Sequence, residues 1–233
     1  MIRHTAAFRI NAEKRSDFYA GTEACMAELT VFLDEKGVRN FSIWNADAWV
    51  FVYGETGAVS ENEETVCVEE AAKGMGRNRL SEEERVRLKK ILAPVEGCIT
   101  WLSAPGEQMR LMYHDIGIVR EDKENIRHRM FMTKLKDGCA EEYKRRHDAL
   151  VAARGESIDP GPDSNFTIWS DGQYIFGYDE IDTTMETEPT EEKMLADLAW
   201  ETRQLEIMDW ITNDCDRMFG THHAACACLA SHN

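Results

Sequence analysis

Tyr143 and His147 stand four residues apart in the run EEYKRRHDAL, residues 141 to 150. In a helix that spacing is about one turn, so a phenol and an imidazole would share one face. Such a pair can do proton chemistry, because histidine, with an ordinary pKa near 6.5, gives or takes a proton at neutral pH. The periodicity predicts an amphipathic helix, yet both residues fall on its apolar side. Buried without partners, each polar group would cost about 1–3 kcal/mol. The helix must therefore cover either internal hydrogen bonds or a cavity. A satisfied core histidine gives the same pattern, and spacing alone does not separate the two readings.

The elements that would position the pair are visible in an internal repeat. RNFSIWNADAWVFVYGE, residues 39–55, lies over SNFTIWSDGQYIFGYDE, residues 164–180, without gaps at an offset of 125. IRH at 2–4 and IRH at 126–128 match with a one-residue slip. The chain reads as two copies of one unit, 1–120 and 126–233, joined by the charged REDKEN. In copy one, His4 to Ile10 reads as a strand, and Asn11 as the N-cap of a helix carrying Phe18, Cys25, Met26, Leu29, Phe32 and Leu33 up to Gly37. NFSIW and WVFVYGE flank a turn, LSEEERVRLKKIL is a helix with Ser81 and Glu84 as a capping box, and MRLMYHDIGIV is a last strand. In copy two, 181–189 is an acidic loop, 190–212 the second helix, and HAACACLASH the final strand.

The order βαββαβ is the ferredoxin-like motif. The expected fold class is α+β: two tandem ferredoxin-like units whose open sheet faces pair as a pseudo-dimeric α/β barrel. The offset also sets Tyr143 over Phe18 and His147 over Thr22, so one copy fills this stripe with ordinary residues where the other places a phenol and an imidazole.

Composition limits the partners. The 27 Lys and Arg against 43 Asp and Glu leave a net charge of -16, which repels phosphate backbones and argues against nucleic acid. With 43% hydrophobic residues the chain can bury a core. No apolar run reaches signal-peptide or membrane-span length, so no membrane partner is expected and the localisation is read as cytoplasmic. Seven cysteines without paired spacing read as reduced thiols. The tail THHAACACLASHN carries His222, His223, Cys226, Cys228 and His232 but no second C-x-x-C, so a strand is preferred to a metal site and no metal is expected.

The run EEYKRRHDAL, followed by NFTIW and YIFGYDE, resembles the L-rhamnose mutarotases, small ferredoxin-like proteins that pair as dimeric α/β barrels. The matching residues are Glu142, Tyr143, Arg146 and His147 on the helix, and Asn165, Phe166 and Ile168 on the next strand. Copy one keeps Glu28 and Leu29 of the family's helix segment and has lost the pair. The resemblance implies a mutarotase for L-rhamnose or a related 6-deoxy sugar, with His147 and Tyr143 catalytic and Phe166, Trp210, Asp209 and Trp169 against the sugar. It implies no metal or organic cofactor, a small-molecule sugar as partner, and a monomer acting as an internal pseudo-dimer.

Phe166 replaces the family's tyrosine, VAAR at 151–154 replaces its Trp-Pro-Glu-Leu, and Trp210 stands for a Trp-Trp pair. Trp169 and Tyr178 have counterparts in Trp44 and Tyr53, which favours structural roles for both. Two other readings stay open: a non-catalytic sugar-binding or regulatory module, and another chemistry hosted by such barrels, such as haem or small-aromatic oxidation.

Overall fold

The computed structural model describes residues 1–57, 80–107, 109–120, 122–211 and 226–232. The chain begins with β1 (Ile2–Ile10), a 3-10 turn (Ala12–Lys14), α1 (Arg15–Glu35), β2 (Val38–Ala46), β3 (Trp49–Thr56), α2 (Glu82–Glu96) and β4 (Ile99–Ser103). It continues through β5 (Arg110–Asp115), β6 (Ile126–Leu135), α3 (Ala140–Arg154), β7 (Asp163–Asp171), β8 (Tyr174–Asp182), α4 (Glu191–Gln204), β9 (Met208–Trp210) and β10 (Ala227–His232). The fold is mixed α+β, with two antiparallel five-stranded sheets.

Local chemistry explains most boundaries. Phe18, Cys25, Leu29, Phe32 and Leu33 are the buried stripe of α1, and Gly37 ends it at φ +62°, a conformation that favours glycine. Ser81 and Glu84 form the expected reciprocal capping box of α2. Asn11 does not cap α1; it precedes the 3-10 turn, and its side-chain oxygen accepts from Thr100 Oγ1 at 3.1 Å. The helix expected over 190–212 stops at Gln204, because Lys136 Nζ donates to the carbonyls of Leu205 and Glu206 and the chain then pairs with β6 as β9.

The repeat recurs in three dimensions, at the offset of 125 through the first three strands and first helix of each unit. Asn40 and Asn165 both take φ near +50° where the register of β2 on β3, and of β7 on β8, shifts. Each asparagine donates to a buried carboxylate, Glu55 at 3.2 Å and Glu180 at 3.1 Å, which also accepts from Tyr53 or Tyr178. These trios hold a strained bulge, so Tyr178 is structural. The IRH tripeptides are not equivalent, since Ile2 pairs with Thr56 but Arg127 with Ile181.

One expectation changes. The sheets run β10-β2-β3-β1-β4 and β5-β7-β8-β6-β9, so each is a four-stranded ferredoxin-like sheet plus a fifth strand from the other sequence copy. The fourth strands are β4 and β9, and the segments read as final strands, β5 and β10, are the exchanged ones. The compact units are therefore residues 1–109 with 227–233, and residues 110–226, in place of 1–120 and 126–233. Which edge a strand joins is a non-local choice that strand periodicity does not carry. Among the described residues no helix is long and apolar enough to cross a membrane.

Candidate functional site

In the second unit, α3 brings Tyr143 and His147 under cover, 3% and 5% exposed. Their ring centroids lie 4.2 Å apart. His147 Nδ1 is 2.9 Å from the carbonyl oxygen of Tyr143. A carbonyl only accepts, so Nδ1 carries the proton and Nε2 is the basic nitrogen of the neutral ring. The same bond exists in the first unit, where Thr22 Oγ1 donates to the carbonyl of Phe18 at 2.9 Å. The helix thus keeps one side-chain-to-backbone bond in both units and changes only the group that makes it.

Both residues line a cavity of about 560 Å³. Its floor is the face of β6 that carries Arg129, Phe131 and Thr133 at alternate positions, with Phe166 and Ile168 of β7 beside it. Tyr113 of β5 stacks edge-on against His147 and Phe166, with centroids at 5.2 and 5.4 Å, and Trp200 of α4 meets His147 at 5.3 Å. Phe131 lies directly over Gly177, where a Cβ would come within 2.1 Å of its ring. Only glycine leaves room for that ring, so Gly177 is part of how the floor is built.

The spacing of the helices makes the cavity. In the first unit α1 and α2 pack closely, and a Cβ on Gly21 would lie 2.6 Å from the carbonyl oxygen of Pro94. Arg146 stands at the position of Gly21 in the second unit, buried along its side chain. It donates to the carbonyl of Arg203 at the end of α4, to Glu206 Oε2 at 2.9 Å and to Glu142 Oε1 at 2.7 Å. A guanidinium where the other unit has a hydrogen atom holds α3 and α4 apart, and these two helices scarcely touch. Of the three consecutive basic residues on this helix, Arg146 is the one that turns inward.

Arg129 meets both carboxylate oxygens of Asp179 through Nε at 3.0 Å. Burial, with the Asp115 carboxylate beside it, pushes the Tyr113 phenol up to about 12, so this ring is neutral at physiological pH and is no base. Two polar groups of the lining differ from these. Thr133 Oγ1 and both amide atoms of Gln204 are buried with no hydrogen-bond partner among the described residues. Counted from the N-caps Ser81 and Thr190, Gln204 stands where the first unit has Val95, and Thr133 stands where it has Phe8.

Of the residues singled out from sequence, Tyr143, His147 and Phe166 meet in this cavity. Trp169 does not: it is buried on the opposite face of β7, as alternation from Ile168 requires. Asp209 is exposed on β9 and lies outside the lining. The backbone of Trp210 pairs with Thr133 in β9, and its side chain lies outside what is described. Residues not anticipated are Tyr113, Arg129, Thr133, Trp200 and Gln204. Gln204 and Thr133 stand opposite Val95 and Phe8 of the other copy, a polar-for-apolar exchange that the sequence itself carries. For Gln204 the loop before α4 changes the offset, and Tyr113 arrives on the exchanged strand. Among the described residues no cluster of three His, Cys, Asp or Glu side chains could hold a metal ion, and His222 and His223 lie outside them.

No family model matches the chain, and no curated protein does. Among solved structures, it is similar to a "Putative monooxygenase" of Fusobacterium nucleatum at TM-score 0.40 and 11% identity, covering 89% of this chain and 87% of that one. A protein of Lactobacillus acidophilus described in the same words follows, at TM-score 0.34 and 11% identity over 78% of each chain. The mutarotase expected from sequence, with its sugar-binding alternative, is corrected here. The proteins that this chain is similar to carry another description, and two of the four residues assigned to the sugar, Asp209 and Trp169, lie outside the cavity.

Proposed function

We propose that the second unit is an enzyme site that binds a flat, benzo-fused ketone or phenol and removes a proton from it through Nε2 of His147. The observation that carries this reading is the bond from His147 Nδ1 to the Tyr143 carbonyl, inside a cavity walled by aromatic rings. It fixes the tautomer whose Nε2 is a base. Tyr113, Phe131, Phe166 and Trp200 offer faces and edges for an aromatic body. Thr133 and Gln204 supply the hydrogen-bonding capacity that an enolate or phenolate oxygen needs, and their lack of partners among the described residues favours a ligand that completes them.

In this reading the substrate ring enters between α3 and α4, His147 takes a proton from carbon or oxygen next to the ring, and the oxygen that gains charge is held by the Gln204 amide and the Thr133 hydroxyl. Returning the proton at another position completes an enol–keto isomerisation, with no change in oxidation state. A positioned base of this kind contributes about 10²–10⁴ in rate.

The test uses 2-tetralone, a benzo-fused ketone, in deuterated buffer. Wild-type protein should accelerate exchange at the carbon next to the carbonyl by about 10²–10⁴-fold, and His147→Ala should return it to the buffer rate while still binding the ketone. No acceleration by wild type, or equal acceleration by the variant, would reject the assignment. Oxygen uptake followed in the same samples tells whether the anion is returned or oxidised.

A further inference from the structure

We infer that the first unit holds a second ligand site, for an uncharged molecule whose body is hydrocarbon. Between its helices and its sheet lies a cavity of about 420 Å³, inside the range of roughly 300–1000 Å³ that small-molecule sites occupy. Protein interiors are otherwise close-packed, with few voids larger than a water molecule. Phe8, Phe18, Leu29, Leu88, Val95 and Trp101 supply its walls.

Most polar groups in this lining are already engaged within the unit. His4 Nε2 meets Thr56 Oγ1 at 2.9 Å, Thr22 donates to the Phe18 carbonyl at 2.9 Å, Cys25 to the Thr22 carbonyl at 3.3 Å, and the Tyr53 hydroxyl to Glu55. Every buried side-chain atom that lacks a partner among the described residues belongs to the second unit. A hydroxyl or carboxylate brought into the first cavity would lose its water and find few groups left to bond it. Water itself needs two to four polar partners and is a poor occupant. A peptide segment would bring backbone amides with the same difficulty. At the rim, Lys36 pairs with Glu84 and Arg87 with Glu35, so the mouth offers no net charge for a charged headgroup. A small hydrocarbon is what remains.

The experiment follows methyl resonances of the full chain while naphthalene is added, with 1-naphthoate as its charged analogue. Naphthalene should shift the methyls of Leu29, Leu88 and Val95 in a saturable manner, and 1-naphthoate should bind these positions at least tenfold more weakly. Cys25→Phe, which fills the cavity from α1, should weaken naphthalene at least tenfold at those methyls while leaving any shifts at Leu150 and Leu198 of the second unit in place. If that variant does not fold, the wild-type titration decides alone. Shifts confined to the second unit, none up to saturation, or equal binding of the two probes would overturn the inference.

Discussion

The two units share strand order, bulge, buried Asn–Glu–Tyr trio and helix-to-carbonyl bond, yet they enclose chemically opposite spaces. Three exchanges account for much of this. Gly21 lets α1 and α2 close, while Arg146 props α3 and α4 apart. Phe8 and Val95 become Thr133 and Gln204, which brings into an apolar lining buried polar groups without partners among the described residues. Ala6 opposite Val52 becomes Phe131 opposite Gly177, moving bulk from one strand to its neighbour and leaving the second floor aromatic. A duplicated fold can thus keep its frame and change the ligand class through a few positions, because the frame rests on strand pairing and backbone bonds that tolerate these exchanges.

The comparison can be broken most severely at the helix contact. Gly21→Ala drives a Cβ into the Pro94 carbonyl and should cost about 1–3 kcal/mol of stability, read as a lowered urea midpoint. An unchanged midpoint would mean that helix spacing is not set there. The opposite sign is expected in the second unit: Gln204→Leu removes a buried amide without a partner among the described residues and should raise stability by about 1–3 kcal/mol while weakening 2-tetralone binding. A loss of stability without ligand would show that the amide has a partner after all.

Acid should separate the units as well. Burial lowers the His4 pKa below its ordinary value, so the folded state prefers the neutral ring. That stabilisation is complete above about pH 6.5 and is lost as pH falls through the lowered value. Removing this titration with His4→Gln should flatten thermal stability between pH 7 and pH 5, a difference that scanning calorimetry measures. The smallest effect concerns Tyr113, whose pKa is raised to about 12. Its contribution is present below about pH 10 and is lost as pH rises through 12. Ultraviolet titration should show one phenol ionising near 12, absent in Tyr113→Phe, and partial exposure keeps the stability change small.

Much of this was legible along the chain. The repeat, the alternation of β2, β3, β7 and β8, the capping box at Ser81, and the odd placement of Tyr143 and His147 are local patterns, and local patterns follow from spacing and residue type. The family resemblance rests on the same helix run and on the strand motifs NFTIW and YIFGYDE, which are equally local, and the function that it implies is the one corrected above. A helix motif reports how a side chain is placed, while substrate choice depends on the walls around it.

From the sequence alone come the two copies, their helices and inner strands, and the face on which the phenol and imidazole lie, because these follow from periodicities of two and 3.6. Strand exchange, the inward turn of Arg146, the arrival of Tyr113 beside His147 and the burial of Gln204 were settled only in the folded chain. Each depends on which distant segments share an edge or a cavity, and that is decided by packing between residues far apart in sequence.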